Sequence, residues 1–219
     1  MQISSTEENY LKAIFSLFYK TNVPVSTNAI AQKMETAPAS VTDMLKRLAE
    51  KELVLYEKYK GASLSKEGDF IAKRLVRKHR IWEVFLLEKL GFQWDEVHDV
   101  AEQLEHINST ELIRRLDQFL GFPKTDPHGD PIPDEEGNMA KPEHVKLTEL
   151  EKNDTAIVVG VADTSTVFLQ YLSQMGIQLG LSITVSEIFA FDSSIQVKAG
   201  DKFLMLSKQV SENLLVKKN

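Results

Sequence analysis

The feature that most restricts how this chain can fold lies in residues 26–65. Ser26 or Thr27 can cap a short helix whose apolar positions are Ala29, Ile30, Ala31 and Met34. After Glu35-Thr36-Ala37-Pro38, a second helix from about residue 39 to 52 carries Val41, Leu45 and Leu48 on one face. Two short helices joined by a tight turn make a helix-turn-helix pattern. Residues 53–65 then read as strand, Gly61 turn, strand, which adds a β-wing. Upstream, Tyr10, Leu11, Ile14, Phe15, Leu17 and Phe18 recur at helical spacing over residues 5–20, Ser5 or Thr6 can cap the start, and Pro24 breaks the pattern. The expected fold of this third of the chain is a winged helix.

A winged helix predicts where DNA would be met. The turn and opening residues Ala37, Pro38 and Ala39, with Ser40, Thr42, Asp43 and Lys46 on the polar side of the second helix, face the major groove in such a fold. Lys58, Tyr59 and Lys60 at the wing tip can hold a phosphate backbone. The plain alternative is a winged fold used only for protein contacts. The net charge of −6 argues superficially against a polyanion, but its distribution does not. Residues 1–73 carry 10 Lys+Arg against 9 Asp+Glu, residues 74–142 carry 9 against 14, and residues 143–219 carry 7 against 9. The acidic excess is in the middle.

That middle segment holds the second informative pattern. Residues 66–90 predict a long helix with a broad apolar face, ended by Leu90-Gly91-Phe92, and two further helices follow, from Asp95 and over about residues 109–120. Their apolar surface exceeds what one small domain buries, which predicts a dimer interface; a helix-turn-helix dimer reads a palindrome. If residues 98–106 are helical, Glu102, Glu105 and His106 share one face, with His98 one turn before Glu102; His79 and Glu83 are again spaced i, i+4. Imidazole and carboxylate without thiolate suit manganese, ferrous iron or zinc. A solvated charged face is the alternative. Residues 121–142, rich in Pro, Gly and Asp, read as a linker that sets His128 near Asp126 and Asp130. From residue 145 the period changes: β-rich runs at 155–161, 182–188, 194–197 and 202–206, with one helix at 168–180, predict a small SH3-like β-barrel.

Hydrophobic content of 42% over 219 residues suits one to three globular domains. No apolar run approaches the roughly 20 residues of a membrane span, nothing marks export, and the absence of cysteine removes disulfides and thiolate chemistry. A cytoplasmic protein without a membrane partner is expected.

Taken together, Glu8-Asn9-Tyr10-Leu11, Val41-Thr42, Leu53-Val54, Arg77-Lys78-His79-Arg80, Glu83, His98-Asp99, Glu105-His106 and Gly129-Asp130-Pro131-Ile132-Pro133 make the whole chain resemble the metal-dependent repressors related to the diphtheria toxin repressor and the manganese transport regulators. The resemblance implies a mainly α protein with small β elements: a winged helix-turn-helix domain (residues 1–73), a helical metal-binding and dimerisation domain with its linker (74–142), and an SH3-like domain similar to FeoA (143–219). It implies one metal site from Asn9, Glu102, Glu105 and His106. It implies a second from His79, Glu83 and His98, completed by Asp126, His128 and Asp163. Iron-sensing members carry cysteine where this chain has Glu102; manganese sensors usually carry aspartate at Asn9 and often glutamate at Lys12. The implied function is a homodimeric, non-enzymatic repressor that senses Mn(II), with Fe(II) second and other divalent ions active in vitro, and that binds a palindromic operator to control metal-uptake genes. An iron-selective regulator, a winged-helix regulator of a non-metal ligand and a metal-dependent hydrolase are the rival readings.

Overall fold

A computed structural model of the chain describes residues 3–141 and 143–219. Met1, Gln2 and Pro142, which closes the expected helical segment, lie outside the described residues. The chain divides into two compact units. The first comprises residues 3–79 with Glu105–Asn108 and Pro133–Met139; the second comprises Arg80–Leu104, Ser109–Ile132 and Ala140–Asn219.

In the first unit, α1 (Ser5–Thr21) starts at a capping box: Ser4 Oγ accepts from the Glu7 N–H, and the Glu7 carboxylate accepts from the Ser4 N–H. Asn22 ends it in the left-handed region at φ 54°. Ser26 caps α2 (Thr27–Lys33), and Pro38 occupies the first turn of α3 (Pro38–Glu50), where its missing N–H costs nothing. Strands β1 (Val54–Glu57) and β2 (Gly61–Leu64) pair antiparallel with Tyr56 opposite Ala62, and Val25 adds a bridge to Ala62. Leu11, Ile14, Ile30, Val41, Leu45, Leu48 and Leu53 are fully buried in one core, so the helix-turn-helix and wing share a single hydrophobic centre. This is the winged helix expected from the sequence. Helix α4 (Lys66–Leu90) begins in this unit and matches the expected bounds.

The second unit holds the rest of α4, α5 (Val97–Leu104), α6 (Thr110–Phe119) and the C-terminal sheet. Ile81, Val84, Val97, Ala101, Ile113, Leu116 and Ile132 form its helical core. Strands β3 (Val145–Lys146), β4 (Thr155–Val161), β5 (Ser182–Ile188), β6 (Ile195–Ala199), β7 (Lys202–Leu206) and β8 (Leu214–Lys218) make one antiparallel sheet in the order β3-β8-β4-β5-β6-β7. Helices α7 (Thr166–Gln174) and α8 (Lys208–Asn213) accompany it. Trp94, between α4 and α5, packs into the sheet's core, and its indole N–H donates to Ser173 Oγ at 2.9 Å.

Two local outcomes differ from expectation. Helix α5 runs only from Val97 to Leu104, so Glu105 and His106 sit in the turn that follows. Ser109 caps α6 through the Leu112 N–H, leaving residues 105–108 as a short connector between two helices. Residues 126–133 are irregular, as expected of a linker, but they are packed rather than solvated: Asp126, Pro127, His128, Gly129, Pro131, Ile132 and Pro133 are buried except for the exposed Asp130 between them. The loop is held where Gly129 (φ 91°) meets β4. A Cβ on Gly129 would lie 2.7 Å from Gly160 Cα, and one on Gly160 only 2.4 Å from the His128 carbonyl oxygen. No side chain fits at either position. The Val161 N–H then donates to His128 O at 2.8 Å. No helix among the described residues is long and apolar enough to cross a membrane.

Candidate metal centres and DNA face

The first cluster lies within the first unit and joins α1, α4 and the 105–108 connector. Glu105 is completely buried and His79 is 6% exposed. His79 Nδ1 and Glu105 Oε2 are 2.5 Å apart. Lys12 Nζ lies 2.6 Å from the same oxygen and 3.2 Å from the same nitrogen. His106, half-buried, meets Glu8: Nδ1 to Oε2 is 2.8 Å, while its Nε2 is 3.9 Å from Glu105 Oε1. Asn9 Oδ1 and Glu105 Oε1 are buried acceptors with no hydrogen-bond donor. A buried oxygen without a donor carries its full desolvation cost. Glu105, with one oxygen beside each of two imidazoles, is a donor set that fits a divalent cation, and Asn9 on α1 adds a second buried oxygen without a donor in the same unit; the chemistry is that of a hard or borderline ion. Of the residues expected at this site, Asn9, Glu105 and His106 fall together in the first unit, joined by His79. Glu102 is half-buried on α5 in the second unit.

The second cluster lies within the second unit. One ligand atom each from Glu83, Asp126 and His128, all buried, come within 4.8 Å of one another. Glu83 Oε2 is 3.8 Å from His128 Nδ1, and Glu83 Oε1 is 3.4 Å from Nδ1 of the exposed His98. The other nitrogen of His128 is 2.9 Å from the Trp94 carbonyl oxygen, which can only accept. Nε2 therefore carries a proton, and Nδ1 is the atom turned to the carboxylates. Burial opposes the charge on His128, but the hydrogen bond and charge of Glu83 outweigh it and raise the imidazole to about 9. Burial, followed by the charge of Glu83, pushes Asp126 up to about 7, with Arg80 opposing. Glu83 and Asp126 thus crowd two buried carboxylates against one imidazole. Asp126 also fixes its own loop: Oδ1 accepts from the N–H groups of His128 (2.8 Å) and Asp130 (2.9 Å). Arg80 on α4 clamps the loop through Asp126 (3.3 Å), Asp130 (3.1 Å) and the Pro131 carbonyl. Asp163 is half-buried, its Oδ1 accepts from the Ser165 N–H at 2.9 Å, and it is outside the Glu83–Asp126–His128 group.

Three residues of these clusters, Glu8, Lys12 and Arg80, carry the resemblance or a departure from it but are not assigned as ligands from the sequence. Glu8 and Lys12 stand i, i+4 on α1, which in sequence looks like an ordinary surface ion pair. Only the fold turns each toward a different partner.

On the DNA face, Ala37, Pro38, Ala39, Ser40, Asp43 and Lys46 are exposed on α3 and the turn before it. Thr42 is half-buried, and its hydroxyl donates to the Pro38 carbonyl at 2.9 Å. At the wing tip Tyr59 is 94% exposed at φ 70°, with Lys58 Nζ 5.0 Å from its ring centre, and Lys60 pairs with Glu57 at 2.6 Å.

Comparison with known proteins adds a consistent set of matches. Residues 2–62 match the iron-dependent repressor N-terminal DNA-binding domain, residues 65–134 the iron-dependent repressor metal-binding and dimerisation domain, and residues 145–218 the FeoA domain. The iron-dependent repressor IdeR of Mycobacterium leprae (strain TN) is 31% identical over 161 residues, which cover 70% of each chain. Among solved structures, a manganese-dependent transcriptional repressor in complex with manganese is 32% identical, with a TM-score of 0.84 over 97% of this chain and 100% of that one. ScaR with bound Zn2+ is also 32% identical, with a TM-score of 0.75 over 97% of this chain and 99% of its own.

Proposed function

This chain belongs to the family of metal-dependent transcriptional repressors that includes the diphtheria toxin repressor and the manganese regulator MntR, and on that premise we propose that Mn(II) is the signal it reads. It is a DNA-binding repressor whose partners are DNA and a second copy of itself. Fe(II) is the second choice of signal. The observation that carries the metal reading is the buried Glu105 carboxylate, which stands between His79 and His106 and whose Oε1 has no donor; Asn9 Oδ1 on α1 is a second buried oxygen without one. Oxygen and imidazole donors without sulfur favour Mn(II) over softer ions in the cell, whereas in vitro affinity follows the Irving–Williams order and other divalent ions will also activate.

In this reading Asn9, Glu105 and His106, with His79 and with Glu102 three residues upstream, hold the activating ion. Glu83, Asp126 and His128, with His98 and Asp163 at the margin, hold a second. The bound ion supplies positive charge that links α1 to the 105–108 connector. Asn9 contributes a carbonyl oxygen from the helix that packs under α2 and α3; Glu105 and His106 contribute from the turn that follows α5. Fixing α1 fixes the face carrying Ser40, Thr42, Asp43 and Lys46. A dimer so ordered meets two half-sites about one DNA turn, roughly 34 Å, apart, which calls for a palindromic operator upstream of metal-uptake genes. Metal affinity and DNA affinity must then raise each other by one factor. Operator binding measured with Mn(II), Fe(II), Zn(II) or chelator tests this. Glu105→Ala should remove the metal dependence and leave the chain folded; an operator affinity indifferent to chelator would reject the switch.

A further inference from the structure

Two cations lay claim to the donors of the first cluster. The Lys12 ammonium lies 2.6 Å from Glu105 Oε2 and 3.2 Å from His79 Nδ1. The Lys12 side chain is 17% exposed and that of Glu105 not at all. An ammonium brings three N–H donors and no acceptor, on a flexible four-carbon stem. It neutralises a carboxylate that is otherwise expensive to bury. A metal held by Glu105 and His79 would need the same oxygen and nitrogen lone pairs. Two like charges cannot share them at these distances.

We propose that Lys12 is a built-in counter-cation that competes with the sensed metal and so sets the concentration at which the repressor responds. The proposal rests on reading the Asn9–Glu105–His106–His79 cluster as the activating site. Its physical content is an exchange. With Lys12 seated, the Glu105 charge is paired and the first unit keeps its fold without metal. With the ion seated, the ammonium swings toward the solvent it already touches and recovers its hydration. The exchange costs the metal the Lys12–Glu105 pair, a charge-assisted hydrogen bond to a buried group. Such bonds correspond to about a tenfold or larger change in an equilibrium constant. Lys12 is thereby a residue that determines threshold without being a ligand. It also spares the protein an uncompensated carboxylate when metal is scarce.

The experiment is a calorimetric Mn(II) titration of the full chain without DNA, for the wild type, Lys12→Met, Lys12→Gln, Lys12→Arg and Glu105→Ala. Each protein is also melted in chelator and in Mn(II). The sites compared are those that Glu105→Ala abolishes. Lys12→Met and Lys12→Gln should bind Mn(II) there about tenfold tighter. They should melt lower than wild type in chelator and show a larger Mn(II)-induced rise in melting temperature. Lys12→Arg, which keeps the charge, should stay near wild type. Unchanged or weaker Mn(II) binding in both neutral variants, with Glu105→Ala still abolishing the sites, overturns the role of Lys12 and leaves the metal site standing. Full Mn(II) binding by Glu105→Ala overturns both.

Discussion

Gly160→Ala is the sharpest test of how the second cluster is built. The new Cβ would sit 2.4 Å from His128 O, 3.1 Å from His128 C and 2.8 Å from Gly129 Cα. All three are backbone atoms, so no side chain can rotate away. An ordinary C···O contact is about 3.3–3.6 Å, so the loop must retreat by about 1 Å. That stretches the Val161 N–H to His128 O bond, now 2.8 Å, beyond hydrogen-bonding range. Overpacking costs about 1–3 kcal/mol and the lost bond about 1 kcal/mol, a total of about 2–4 kcal/mol. The displacement falls on the residue whose Nδ1 faces Glu83, so Mn(II) binding at this cluster should be lost as well. Gly176→Ala is the control: it lies at φ 73° with no heavy atom within 4 Å of the added carbon, so only backbone strain of about 1–2 kcal/mol applies. Denaturant unfolding followed by the emission of Trp82 and Trp94, with calorimetric Mn(II) titration, reads both effects. A Gly160→Ala protein within about 0.5 kcal/mol of wild type, with every Mn(II) site retained, would refute the packing argument.

Lys58→Ala and Lys60→Ala should each weaken operator binding evenly across sequences and lower the salt slope by about one, with Mn(II) affinity unchanged; binding isotherms at several salt concentrations check this. Ser4→Ala removes the capping box of α1 and should cost about 1 kcal/mol in the first unit's unfolding transition. Lys51→Met strips the cation 2.7 Å from the buried Glu7 carboxylate and should cost about 1–3 kcal/mol. Adding Glu7→Gln should recover part of that loss, a non-additivity that a double-mutant cycle measures.

The parts of the fold that announce themselves are those with a strong local period. Helix α4 and strands β4, β5 and β7 fall on their expected bounds, because burial writes a repeat of 3.6, or a short apolar run bounded by turn residues, into the sequence. Strands β3 and β8 carry no such signal. One has two residues, and the other, Leu-Leu-Val-Lys-Lys, buries three in a row instead of alternating, so it shows no period of two. The site divides the same way. His79 and Glu83, one turn apart on a helix, are legible. The seating of Asp126 and His128 is not, because Pro, Gly and Asp spell a linker locally, and what buries the loop is the glycine contact with Gly160, far along the chain. Glu105 and His106 stood out by composition, yet they sit in a turn rather than on a helical face, since Ser109 starts the next helix so soon.

Every donor in both clusters is an oxygen or a ring nitrogen, and the chain contains no cysteine. Peroxide that converts thiolates to sulfenic acid or disulfide has nothing to attack in such a ligand set. The thiolate route of oxidative inactivation is therefore closed to both clusters.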